Sequence, residues 1–138
     1  MRFRYSKLPG IPTETKRPLV PVKFKYKTRE TLPILALIDS GADFSYASKE
    51  IADFLGIDLS RVKREPSFGI DGSRFLCFPT KAEIEINGHN LMIPIHFTLA
   101  MNKLFRCVLG QEGLFDQAKI TFKRYKWSFE IKVRNLKK

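Results

Sequence analysis

The sequence predicts a mainly β protein: a small closed or partly closed barrel of about seven or eight short strands, with one short helix. Three observations carry this prediction. Apolar and polar residues alternate at period two in several separate segments. Turn formers punctuate those segments, most clearly Asn87-Gly88. One stretch, near residue 50, has helical spacing instead. A barrel is expected because closure leaves no exposed strand edge.

The elements follow in order. Residues 1–17 carry Pro9-Gly10 and Pro12 among basic side chains, and read as an N-terminal arm before a single domain spanning 18–138. Val20, Val22, Phe24 and Tyr26 alternate with Pro21, Lys23, Lys25 and Lys27, which predicts a half-buried strand. Pro21 puts it at an edge or a strand start. The unbroken run Ile34-Leu35-Ala36-Leu37-Ile38 predicts a strand buried on both faces. Ala47, Ile51, Phe54 and Leu55 fall on one face of a helix predicted over Ala47–Gly56, with Gly56 as its C-terminal cap. Residues 62–78 predict two strands around Gly69-Ile70-Asp71-Gly72. Residues 81–98 form the clearest hairpin, with Asn87-Gly88 as a type I′ turn. Phe105–Leu109 is a short apolar strand ended by Gly110, and 111–116 suit a helical turn. A last hairpin alternates through Ile120 and Phe122, then Trp127, Phe129, Ile131 and Val133, with its basic residues mainly on the solvent face.

Composition narrows the function classes. A chain of 138 residues fits one domain. Hydrophobic content of 43% and charged content of 28% exclude a disordered chain. No apolar run reaches the ~18 residues of a membrane span, and the N-terminus lacks a secretory apolar stretch. The expectation is a cytoplasmic protein with no membrane partner. Cys77 and Cys107 make no C-x-x-C pair and read as reduced core thiols, with one disulfide as the alternative. The net charge of +11 sits at the ends. Residues 1–30 hold nine basic and two acidic side chains, and 118–138 hold eight and one. The middle holds eight basic against eleven acidic. A solvated surface is the leading reading of the ends, and nucleic acid is a partner not favoured.

The segment that carries chemistry is Ala36-Leu37-Ile38-Asp39-Ser40-Gly41-Ala42-Asp43. A carboxylate at the end of a buried strand is costly unless hydrogen-bonded or shared. Gly41 permits close backbone approach. Val108-Leu109-Gly110 follows later in the chain. Together these two segments resemble the retropepsin-like aspartic proteases, and the Arg17-Pro18-Leu19-Val20-Pro21-Val22 lead-in with the helix from Ala47 to Gly56 looks most like their small free-standing bacterial and archaeal versions. The resemblance covers roughly residues 17–133 and implies a barrel of the retropepsin, or acid protease, type.

It also implies roles. Asp39 would be the catalytic aspartate. Ser40 would donate a hydrogen bond tying two active-site loops together, and Gly41 would make backbone contacts to substrate. Ala42 would line the site, and Asp43 would contact substrate or brace the loop. Gly69, Ile70, Asp71 and Gly72 would form the flap tip. Val108, Leu109 and Gly110 would pack beneath the Asp39 loop. No cofactor and no metal is implied. The chemistry needs two carboxylates about 3 Å apart sharing one proton. The chain has one Asp-Ser-Gly, and Asp71-Gly72-Ser73 has the wrong order. An active enzyme of this kind is therefore a homodimer acting on a peptide or protein substrate. One departure stands out: Gln111 follows Gly110, where retroviral members often carry an arginine.

Other residues lead elsewhere only weakly. His89 and His96 lack the further ligands of a metal site and read as surface or turn residues. Ser40, Ser45 and Ser48 have no nucleophile-elbow setting. Glu83 and Glu85 read as the wet face of a strand, and Trp127 as core. Two rivals to the protease stay open. One is a peptide-binding module without hydrolysis on the same fold. The other is polyanion binding through the basic termini.

Overall fold

The computed structural model describes residues 1–101 and 105–134. The C-terminal end of the expected 18–138 domain, residues 135–138, lies outside them. Strands are β1 (Arg2–Arg4), β2 (Leu19–Tyr26), β3 (Arg29–Glu30), β4 (Ile34–Ile38), β5 (Tyr46–Ser48), β6 (Glu65–Phe68), β7 (Arg74–Ile86), β8 (His89–Thr98), β9 (Cys107–Leu109), β10 (Ala118–Lys123) and β11 (Ser128–Val133). One α-helix, α1 (Lys49–Leu55), follows β5. It is too short to cross a membrane, and no other described helix is long and apolar enough to do so.

Six strands close into a barrel in the order β2-β4-β9-β5-β8-β7, with β2 pairing back onto β7. Closure rests on Lys23, Phe24 and Lys25 opposite Glu85, Ile84 and Glu83. Inward residues at alternate positions fill the interior: Val20, Val22, Phe24, Ile84, Ile86, Ile93, Ile95 and Phe97 are all buried. The β7–β8 hairpin has the expected two-residue turn, with Asn87 and Gly88 both at positive φ.

Three expectations change. Strand β4 is not equally buried on both sides. Ala36 and Ile38 face the barrel interior, whereas Ile34, Leu35 and Leu37 stay half-covered. The helix starts later than Ala47, because Tyr46–Ser48 pairs with β8 and β9. Ser48 caps it through Glu50 N–H, and Gly56 closes it at φ 78°. Ile51, Ala52 and Leu55 centre the buried stripe, which leaves Phe54 at its margin and 57% exposed. Trp127 is not a strand residue in the core. It sits half-buried at φ 53°, ending a 3-10 turn (Arg124–Lys126) between β10 and β11. Its ring is flanked by the Arg124 guanidinium at 3.6 Å and the Lys16 ammonium at 5.1 Å. Segment 111–116 makes hydrogen-bonded turns, with Leu114 N–H donating to the Gly110 carbonyl four residues back at 3.4 Å.

A second sheet, β1-β11-β10, packs beside the barrel. Residues 1–17 thus include a paired strand, and Ser6 bridges Arg17. Phe129 anchors this sheet. It is fully buried, with Phe3, Tyr5 and Phe122 rings 5.3, 5.9 and 6.3 Å away. Phe129→Ala is expected to cost about 3–5 kcal/mol, read as a lowered midpoint in denaturant unfolding with little change in slope.

Candidate active site

The site is built where β9 lies between β4 and β5. Strand β9 runs parallel to β4, pairing Leu37 with Val108 and Ile38 with Leu109. It runs antiparallel to β5, pairing Tyr46 with Val108 and Ala47 with Cys107. The connection 39–45 must therefore arch over the end of β9. Asp39 starts that arch, and its N–H donates to the Leu109 carbonyl at 3.0 Å.

The loop is held by its own backbone. Gly41 N–H donates to Asp39 Oδ1 at 2.9 Å, and Ala42 N–H to the Asp39 carbonyl at 3.2 Å. The first bond fixes the carboxylate's orientation and leaves Oδ2 for other partners. Asp39 is half-exposed, and Ser40, Gly41 and Asp43 are exposed around it. From the other side, Gln111 N–H donates to the Ala42 carbonyl at 2.8 Å and Glu112 N–H to the Asp43 carbonyl at 3.0 Å. Gln111 Nε2 also donates to the Ser40 carbonyl at 2.8 Å. The residue standing in place of an arginine thus braces the same loop through its amide.

Gly110 is the tightest point. A Cβ there would lie 2.3 Å from the Phe44 carbonyl oxygen and 2.5 Å from that of Ala42. Gly110 N–H donates to Ser45 Oγ at 3.0 Å, and Ser45 Oγ donates to the Glu112 carbonyl at 2.7 Å. Ser45 is buried, and its hydroxyl fastens the end of the Asp39 loop to the turn after β9. Sequence reasoning passed over it, because nothing in period-two alternation marks which hydroxyl is enclosed.

The hairpin β6–β7 carries the other predicted residues. Gly72 N–H donates to the Gly69 carbonyl at 2.9 Å, and Gly72 takes φ 81°. Asp71 Oδ1 accepts from Ser73 N–H at 2.8 Å, and the Ser73 hydrogen bonds hold its carboxyl below the usual range. Asp71 is thus committed to its own turn. Phe68 and Ile70 are exposed at the tip. Tyr46, directly after the Asp39 loop on β5, meets Ser67 of this hairpin, oxygen to oxygen, at 2.8 Å. Burial pushes the Tyr46 hydroxyl's pKa upward.

His96 is half-buried, more enclosed than a surface or turn residue. It stacks on Phe44 at 4.7 Å and meets Tyr46 edge-on at 5.6 Å. Burial lowers its pKa below the ordinary 6.5, against the opposing charges of Glu112 and Glu65. Cys77 and Cys107 are free and buried, and burial raises both thiols, Cys77 to about 11. Neither is a nucleophile at neutral pH. Among the described residues, no cluster of His, Cys, Asp and Glu could hold a metal ion.

This arrangement, a closed six-strand barrel with an Asp-Ser-Gly arch seated on an inserted strand, is the retropepsin-like aspartic protease fold. Among solved structures, the chain is similar to a retropepsin-like aspartic protease from Rickettsia conorii, with TM-score 0.67 and 16% identity over 96% of this chain and 91% of that one. It is also similar to the EIAV protease in complex with the inhibitor HBY-793, with TM-score 0.51 and 20% identity over 73% of this chain and 86% of that one. No protein-family model and no curated protein matches the sequence.

Two outcomes follow from this geometry. Gly110→Ala should destabilise the protein by about 1–3 kcal/mol in thermal unfolding, because carbonyl backbone must shift. Gly41→Ala, whose Cβ would meet only the Asp39 carboxylate at 3.3 Å, should cost less. Burial makes His96 protonate less readily in the folded chain than in the unfolded one. Stability should therefore fall as pH drops below about 6.5, through the lowered folded pKa, and His96→Phe should flatten that dependence.

Proposed function

We propose that this chain is an aspartic endopeptidase, active as a homodimer with one Asp39 from each subunit. The observation that carries the reading is the Asp39 carboxylate: half-exposed, oriented by Gly41 N–H, and mounted on a loop braced from below by Gly110, Gln111 and Ser45. The likeness to retropepsin-like structures supports it.

One such carboxylate is half a machine. Two brought together on a two-fold axis cannot both ionise, so they hold one proton between them. The ionised partner takes a proton from a water lying between them, and that water's oxygen attacks the scissile carbonyl carbon. The protonated partner gives its proton to the carbonyl oxygen. Collapse of the tetrahedral species breaks the C–N bond, and the proton held by the dyad goes to the leaving nitrogen. Substrate lies extended between the Asp39 loops and the β6–β7 hairpin, which acts as a flap. Phe68 and Ile70, exposed in the single chain, gain cover in that closed state. Ser40 of each subunit ties the two loops together. The unpaired thiols Cys77 and Cys107 fit a reducing, cytoplasmic setting.

The test is digestion of a mixed peptide library by wild type and by Asp39→Asn, alongside the mass of the assembly. Wild type should cleave as a dimer, faster at mildly acidic than at alkaline pH. Asp39→Asn should stay folded and lose at least ~10³-fold in rate. Full-rate cleavage by a monomer removes the dimer from the reading. Peptide binding without cleavage by wild type replaces the enzyme with a binding module.

A further inference from the structure

The basic termini, scattered in sequence, come together on one sheet. Directly opposed residues in an antiparallel sheet share a face. In β1-β11-β10, Phe3, Phe129 and Phe122 are in register, as are Ile120 and Ile131; all but Phe122, which is exposed at the margin, pack on the core. The other face aligns Arg2 with Glu130 and Thr121, Arg4 with Ser128 and Lys123, and Lys119 with Lys132. Its outward positions thus hold five cations and one acid. Among the described residues, Arg2–Glu130 at 3.3 Å is the one ion pair on this face. Lys119 and Lys132 are exposed and directly opposed, an arrangement that costs stability in a sheet. Folding gains nothing from it, whereas a bound polyanion would relieve it.

We propose that this face binds the phosphate backbone of a nucleic acid. Cations two residues apart on a strand lie ~6.8 Å apart, and neighbouring strands lie ~4.8 Å apart, so the face is a dense, flat positive plate. No outward position of the three strands carries an apolar side chain, and the exposed Phe122 lies on the opposite face, so this face offers no apolar wedge to a membrane. No aromatic ring shares the face, so recognition is of backbone and not of sequence. None of these residues is one the proposed cleavage uses, so the proposal stands whether or not the chain cleaves peptides.

The test is fluorescence anisotropy with labelled single-stranded and duplex oligonucleotides of about 20 nucleotides, across a salt series. Wild type should bind, with affinity falling linearly in log–log salt. Lys119→Gln/Lys123→Gln/Lys132→Gln should weaken binding at least tenfold and reduce the duplex salt slope by roughly 0.9 for each phosphate no longer neutralised. Its melting temperature should equal or exceed wild type's, since it removes a repulsion. A control with equal charge loss elsewhere, Lys27→Gln/Lys63→Gln/Lys81→Gln, should stay within about twofold. Equal losses in both variants would overturn the assignment to this face. So would no binding by wild type at low salt, or binding to phosphatidylserine vesicles without binding to either oligonucleotide.

Discussion

The Asp39 loop keeps its shape because two stretches of backbone meet with no side chain between them. Gly110 faces the carbonyls of Ala42 and Phe44 at distances that no Cβ could share. That contact exists because β9 is inserted between β4 and β5, which forces the 39–45 connection to cross over it. The buried hydroxyl of Ser45 then satisfies the Gly110 N–H, which would otherwise be costly to enclose. Every later feature of the site inherits this arrangement. The carboxylate is aimed by Gly41, the loop is braced by Gln111, and Tyr46 leaves the loop in position to meet Ser67.

Acidity acts on the packing behind the Asp39 loop. His96 is half-buried against the Phe44 and Tyr46 rings, and burial lowers its pKa, so acid weakens the packing beside that loop. Burial also pushes up the pKa of both thiols, Cys77 and Cys107.

Much of this was legible in the sequence because local rules and the fold agree. Asn87-Gly88 demands a two-residue turn wherever it occurs between alternating strands, and it makes one here. Asp39-Ser40-Gly41 after an apolar run marks the arch, and Val108-Leu109-Gly110 marks its support. The misses come where tertiary pairing overrides a local pattern. Ala47 suits a helix, yet two neighbouring strands claim it. Trp127 continues an alternation, yet a tight turn places it at positive φ with cations on its ring. His96 and Ser45 look polar and peripheral, and only the three-dimensional neighbourhood buries Ser45 and half-buries His96 against two rings.

The terminal sheet carries a kinetic consequence. β7 and β8 align ten residue pairs across a two-residue turn, so their pairing closes almost no loop. β1 aligns only three pairs with β11, and those strands stand at opposite ends of the described chain. Loop closure costs entropy that grows with the length enclosed, and few pairings offset it here. Ranked by chain entropy per pairing, β1 is the strand with least reason to form early and most freedom to peel away. The barrel and its Asp39 arch depend on none of its hydrogen bonds. The basic plate does, because Arg2 and Arg4 join it only when that last strand is laid down.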